Sequence, residues 1–157
     1  MLPGPEPIIA AETYTLALGI VVSHDDPNRA FYDPTRDRVN VPDLVTFDDA
    51  ASFYSTTWHE ATHWTGHADR LARDSLARYS RDRQERAREE LTAELGAAFQ
   101  CALVGIASEP RPDHAQYLAS WAQLLRDDSR AFWNAASAAQ KACDYLRDRA
   151  GSAVVAA

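Results

Sequence analysis

The sequence predicts an α+β domain that is mostly helical and carries a small β-sheet near its beginning. Short β-branched and alternating apolar segments occur between residues 20 and 41, whereas helical patterns fill most of the chain after Thr46. The 157 residues are 46% hydrophobic and 25% charged, which is enough for one core and argues against disorder. No internal repeat or long linker divides the chain, so we expect a single domain over residues 1–157.

The first elements can be placed from their end signals. A first helix is predicted over residues 7–19, with proline at its start and glycine at its end. Two or three short strands follow, with candidate segments at residues 20–22, 30–32 and 38–41. The segment DPTRD forms the turn between the last two strands. Because Pro42 cannot donate a ladder hydrogen bond, the third strand either ends there or lies at an edge.

The remaining elements are predicted to be helical. The first of these helices begins at Thr46, a candidate N-cap, and ends at Gly66. Tyr54, Trp58 and Ala61 fall on one apolar stripe of this helix, so we expect that stripe to face the core. Three further helices are predicted, at about residues 81–106, 112–126 and 128–149.

The segment STTWHEATHWTGHADRL, residues 55–71, contains three of the five histidines within nine consecutive positions. His59 and His63 are four residues apart on a predicted helix, so their rings project from one face. The sequence from His59 to His63 is an HExxH motif, whose two imidazoles bind zinc. The glutamate of such a motif takes a proton from a water that the metal polarises. We therefore predict metal ligands at His59 and His63 and a general base at Glu60, with two solvated surface histidines as the alternative.

A catalytic zinc usually takes three protein ligands and leaves one position for water. His67 lies about 12 Å from His59 along a straight helix, so we expect it at the helix end or bonded to a ligand. Glu90 is the better third ligand, if the next long helix packs antiparallel against the histidine helix. The alternative for Glu90 is a surface ion pair with Arg86.

Two further acids lie on the same predicted helix as Glu90. Glu94 is four residues away on the same face, within an otherwise apolar run. An acid there needs a partner, and we expect Glu94 to accept the outer N–H of a ligating imidazole. Glu89 is rotated about 100° away, so we assign it to a surface ion pair with Arg86.

Composition disfavours several classes of protein. A net charge of −7 is unfavourable for general nucleic-acid binding. Seven arginines lie between Arg70 and Arg88, and we interpret them as a solvated, salt-bridged helix face rather than a phosphate-binding surface. No apolar run is long enough to span a membrane, and no signal peptide is evident at the start. Cys101 and Cys143 are interpreted as reduced core residues of a cytoplasmic protein.

Four segments together resemble a known family: AFYDPTRDRVNVP, FYSTTWHEATHWTGHADRL, AREELTAELGAAFQCALVGI and HAQYLASWAQLLRDDSRAFWNAASAAQKACDYL. They are similar to the zincin-like metallopeptidase domain of ArdC-type antirestriction proteins and of the polyvalent proteins of phages and plasmids. The resemblance covers about residues 30–147. It implies a gluzincin-like site, in which Glu90 is the metal ligand and Glu94 the supporting acid.

This sequence differs from ArdC-type proteins in one respect. Those proteins have a single-stranded-DNA-binding domain ahead of the peptidase-like domain, and this sequence shows no counterpart of that domain before residue 30. We therefore expect a zinc-dependent metallopeptidase of mobile-element type that acts on a peptide or protein, and we expect this chain alone to bind nucleic acid only weakly. Manganese or cobalt can replace zinc on the same ligands. The alternative is a non-catalytic, DNA-associated antirestriction module with a structural metal. His114 and Tyr117 are candidates for oxyanion stabilisation, against surface and core roles.

Overall fold

The computed structural model describes residues 4–107 and 115–151. Within these residues the chain forms α1 (Ile9–Leu18), β1 (Val22–Ser23), β2 (Phe31–Asp33), β3 (Arg38–Asn40), α2 (Ala50–Thr65), α3 (Asp74–Ala77), α4 (Arg83–Val104), α5 (Ala115–Asp127) and α6 (Ala131–Ala150). The mostly helical α+β architecture with a small sheet near its beginning is thereby confirmed. No helix of the described ranges combines the length and the apolar character that crossing a membrane requires.

The sheet has the strand order β1-β3-β2. β1 pairs with β3 in parallel, and β2 pairs with β3 antiparallel, with Tyr32 opposite Val39. The turn between β2 and β3 is stabilised by Asp33, whose carboxylate accepts the backbone N–H groups of Thr35 and Arg36. β3 ends at Asn40 in the centre of the sheet, so Pro42 follows the strand end. β2 is left at an edge.

The N-cap of helix α2 lies three residues after the predicted one. Thr46 closes a short 3-10 turn, Leu44–Thr46, and the prediction that it caps the helix was wrong. Asp49 is the N-cap instead, because its extended backbone lets its carboxylate accept the Ser52 N–H at 2.7 Å. The start of the helix is therefore fixed by the second of two adjacent aspartates.

The core surrounds α2 on all sides. Tyr54, Trp58 and Ala61 are buried, as the apolar stripe predicted, and Trp58 meets the Tyr14 ring of α1 edge-on at 5.4 Å. The polar face of α2 is buried too, because α4 and the sheet cover it; all its residues from Phe53 to Thr65 are inaccessible to solvent or nearly so. Cys101 and Cys143 are free and buried.

Helices α2 and α4 pack antiparallel at very short range. The position of Gly96 permits this approach, since a Cβ there would lie 2.5 Å from Thr62 Oγ1. Gln100, also fully buried, donates to the carbonyl oxygens of Trp58 and Gly96 and to Thr62 Oγ1. This contact sets the distance between the histidines of α2 and the acids of α4.

Candidate metal centre

His59, His63 and Glu90 lie together at the α2–α4 interface. Each offers one ligand atom, and these atoms all lie within 4.8 Å of one another. The two Nε2 atoms are 3.2 Å apart, and Glu90 places Oε2 at 3.2 Å from His59 Nε2 and Oε1 at 3.5 Å from His63 Nε2. All three side chains are buried. Two imidazole nitrogens and a carboxylate thus face one point.

The outer nitrogen of each imidazole meets an acid of α4. His59 Nδ1 lies 2.9 Å from Glu94 Oε1, the contact expected from the four-residue spacing. His63 Nδ1 lies 3.0 Å from Glu89 Oε1. The assignment of Glu89 to a surface pair with Arg86 was wrong, since its side chain is 0% exposed. Glu90 is buried as well, so a surface pair does not describe it either.

Glu89 is buried because the segment between α2 and α4 folds back over it. Arg73 donates to both oxygens of Glu89, from Nη2 at 2.7 Å and from Nε at 3.0 Å. Ser75 adds a hydroxyl hydrogen bond to Oε2 at 2.6 Å. Burial alone would raise the pKa of Glu89, but the hydrogen bonds from His63 and Arg73 outweigh it and lower that pKa to about 2. Glu89 is therefore an anion at neutral pH.

The sequence pattern indicated that the arginines of this segment are solvated, and for two of them this was wrong. Arg70 and Arg73 have side chains only 9% and 10% exposed. Arg70 pairs with Asp37 of the β2–β3 turn and lies over the Trp64 ring, 3.7 Å from its centre. The stretch is also not one helix, because α3 and two connections interrupt it. These two arginines bind the segment to the body of the domain through their ion pairs with Asp37 and Glu89.

The charges around the two imidazoles fit a divalent cation. Four carboxylates lie at the site, those of Glu60, Glu89, Glu90 and Glu94, and Arg73 is the guanidinium that pairs with one of them. Burial raises the pKa of Glu90, but the attraction of His63 and the hydrogen bond from His59 are stronger and hold that pKa well below its usual range. Because a buried excess of negative charge is costly, a cation on His59, His63 and Glu90 would stabilise this arrangement.

The site opens into a cleft of about 830 Å³. His59, Glu60, His63 and Glu90 form part of its wall, so the centre is accessible from solvent although its side chains are buried. His67 also lines the cleft but stands apart from the three clustered residues, with Nδ1 accepting the Asp69 N–H at 3.1 Å.

Tyr79 is a residue of the site that sequence reasoning missed. Its hydroxyl donates a short hydrogen bond to Glu90 Oε1, and its ring meets that of His63 edge-on at 6.1 Å. Burial and the neighbouring Glu90 carboxylate raise the pKa of Tyr79 well above its usual range, so it remains a donor. Tyr117 is hydrogen-bonded with Tyr79 and lines the same cleft. His114 lies outside the described residues.

Comparisons with known proteins agree with this geometry. A family model described as zincin-like metallopeptidase matches residues 9–138. Uncharacterized protein y4eC of Sinorhizobium fredii is 40% identical over 146 residues, which are 93% of this chain and 47% of that protein. DNA primase TraC of Escherichia coli is 36% identical over 136 residues, 87% of this chain and 12% of that protein.

Two crystal structures of the antirestriction protein ArdC from plasmid R388 are also similar. The metal-free structure superposes with a TM-score of 0.81 at 39% identity, covering 96% of this chain and 53% of ArdC. The Mn(II)-bound structure gives a TM-score of 0.81 at 38% identity and covers 56% of that chain. The chain thus spans about half the length of ArdC and y4eC, and a small part of TraC.

Proposed function

This chain belongs to the zincin-like metallopeptidase family, with a domain of the ArdC type found in plasmid proteins, and from that premise we propose that it is a metal-dependent peptidase. The observation that carries the proposal is the position of Glu60. It lies on the wall of a large cleft, next in sequence to His59, and its charge acts on the imidazoles of both His59 and His63. A cation site beside an acid in an open cleft is what hydrolysis of a bound substrate requires.

In this proposal His59, His63 and Glu90 hold the cation. When bound there, a divalent ion supplies Lewis-acid polarisation to a water molecule and to a substrate carbonyl. The donor set of two imidazoles and a carboxylate supports zinc, and the Mn(II)-bound ArdC structure supports manganese as an alternative. Glu89 accepts a hydrogen bond from His63 Nδ1, and Glu94 Oε1 lies 2.9 Å from His59 Nδ1, so these two acids would keep the imidazoles oriented.

Glu60 has the role of general base. It takes a proton from the attacking water and returns it to the nitrogen of the departing amine, so the peptide C–N bond breaks without release of a free amide anion. Tyr79 keeps Glu90 in place through its short hydrogen bond.

An extended peptide is the substrate class that the cleft suits. β2 pairs with β3 on one side and lies at the edge of the sheet, and its residues Phe31 and Tyr32 line the same cleft as the acids. An edge strand offers backbone N–H and C=O groups to a further strand, which is a common mode of peptide binding. We propose that the substrate pairs along β2 and presents one peptide bond to Glu60.

The direct experiment incubates the protein with a broad peptide library and reads new termini by mass spectrometry. Three samples are compared: protein loaded with Zn²⁺, protein loaded with Mn²⁺, and protein stripped by chelation. Cleavage in a loaded sample that disappears on stripping supports the proposal. Cleavage that survives stripping contradicts it, because then the cation site plays no part.

A second candidate function is favoured by the similarity to ArdC, which is named as an antirestriction protein. In that account the domain is a non-catalytic, DNA-associated module and the cation is structural. The two accounts differ in what removal of the cation does. A structural site predicts partial unfolding on stripping and no new peptide termini in any sample. A catalytic site predicts loss of cleavage with the fold largely retained.

A further inference from the structure

The carboxylate of Glu89 is surrounded by four donors from three parts of the chain. It accepts from His63 on α2, from two nitrogens of Arg73, and from Ser75 in α3. The Glu89 side chain is 0% exposed. A carboxylate with all its acceptor positions in use has one orientation, and that orientation decides where His63 Nδ1 can point.

Arg73 also makes hydrogen bonds to residues other than Glu89. Its Nη1 donates to Thr65 Oγ1 at 2.8 Å, and its Nη2 donates to the Thr62 carbonyl oxygen at 2.6 Å. The guanidinium therefore ties the last turn of α2 to α4. Gly66 makes room for it, because a Cβ at that position would lie 2.7 Å from Arg73 Nη2. The planar, forked donor set is needed here, and a lysine ammonium could not make the same bonds.

We infer that Arg73 is a positioning residue of the metal centre and acts on His63 through Glu89. The inference rests on the proposed metal function. With Arg73 in place, Glu89 Oε1 stays at the outer nitrogen of His63, and the proton on Nδ1 leaves the Nε2 lone pair free for the cation. Without Arg73, Glu89 would keep its burial but lose its bidentate partner, and the imidazole would lose its fixed orientation.

Because Arg73 also lines the cleft, the metal centre is linked to the cleft wall. The segment from Gly66 to Tyr79 contributes Arg73, Ser75 and Tyr79, each of which contacts an acid of the site. The affinity for the metal should therefore depend on the position of this segment against α2 and α4, although none of these three residues is a metal ligand.

The test measures the affinity of purified variants for Zn²⁺ by competition with a chromophoric chelator, together with the melting temperature of the metal-free proteins. Arg73→Met should weaken Zn²⁺ binding by about 10- to 100-fold, the range typical for partners of metal ligands. Arg73→Lys should fall between Arg73→Met and the parent. Arg70→Met is the matched control, since Arg70 is equally buried in the same segment and pairs with Asp37 instead of Glu89.

A merely structural role of Arg73 would lower the melting temperature of Arg73→Met and Arg70→Met alike and leave both affinities unchanged. That result would overturn the inference. If Arg73→Met does not fold, the double variant Arg73→Met/Glu89→Gln removes the unpaired buried charge, and it should still bind Zn²⁺ about 10-fold more weakly. If the parent protein binds no Zn²⁺, the proposed function itself is overturned. An unexpected ratio between the Zn²⁺ affinities of variant and parent bears only on the inference about Arg73.

Discussion

His59 Nε2 and His63 Nε2 lie 3.2 Å apart across one turn of α2. Two nitrogens bound to a tetrahedral zinc at the usual bond length would be separated by about 3.3 Å, as bond lengths near 2.05 Å imply. The two imidazoles thus already have the spacing that one cation needs. The carboxylate of Glu90 approaches both from α4.

This geometry predicts about one metal ion per chain. Each of the single replacements of His59, His63 and Glu90 by Ala should remove nearly all tightly bound metal, because each residue supplies one of the three clustered donors. His67→Ala is the control, since His67 lines the same cleft but stands apart from the cluster. Elemental analysis of the purified proteins gives the answer. Metal retained in Glu90→Ala and lost in Glu94→Ala would show that Glu94 is the metal ligand and Glu90 the supporting acid.

The close packing of α2 against α4 predicts that Gly96→Ala is destabilising. The new methyl would meet Thr62 Oγ1 at 2.5 Å and Thr62 Cγ2 at 2.6 Å, so the helices must move apart. We expect a loss of about 1–3 kcal/mol in the free energy of unfolding, typical of overpacked cores, measured by denaturant titration. In the double variant Thr62→Ala/Gly96→Ala the loss should be smaller than the two single losses together. Simple additivity would show that Thr62 is not the obstacle.

The interaction of Asp37 with Arg70 predicts that the stability of the fold decreases in acid. Its hydrogen bonds with Arg70 are the main reason that the pKa of Asp37 is lowered to about 2. Because the pKa of Asp37 in the folded state lies below its ordinary value of 3.8, the unfolded chain takes up the proton first as pH falls. The stabilisation is complete above about pH 4 and is lost towards pH 2.

Asp37→Asn is the matched variant, since asparagine also tolerates the positive φ of 50° at this position. Its melting temperature should lie below that of the parent at neutral pH, and the two should converge between pH 4 and pH 2. A constant difference over that range would mean that the ion pair with Arg70 does not stabilise the fold.

We expect weak DNA binding by this chain. Arg70 and Arg73 are used within the fold, and the exposed arginines of the stretch are Arg78, Arg81, Arg83 and Arg86. Binding of single-stranded DNA, followed by fluorescence anisotropy, should fall steeply with salt and disappear when these four become Gln. Tight binding at physiological salt that survives the replacement would favour the DNA-associated alternative.

Much of the candidate site could be predicted because helix periodicity fixes which residues share a face. The spacing of His59 and His63 and that of Glu90 and Glu94 placed all four at one interface, and the structure brings them together. The metal role of these residues stays a prediction. Apolar periodicity likewise predicted the buried stripe of α2.

The missed residues all depend on the irregular segment between α2 and α4. Glu89 is rotated about 100° from Glu90 on a helical wheel, and the structure buries it beneath Arg73 and Ser75, which return over α4. Tyr79 reaches Glu90 from the same segment. Periodicity carries no information about where such a connection folds, so the sequence indicated solvated charges where the structure has a buried network.

A comparison of the parent protein with Glu60→Gln tests whether Glu60 is the general base of a peptidase. The replacement preserves shape and leaves His59, His63 and Glu90 unchanged, but it removes the carboxylate that accepts the proton. With metal content and melting temperature equal to the parent, peptide hydrolysis should fall by about 100- to 10,000-fold, as expected for a lost general base. Equal, metal-dependent cleavage by the two proteins would contradict the account.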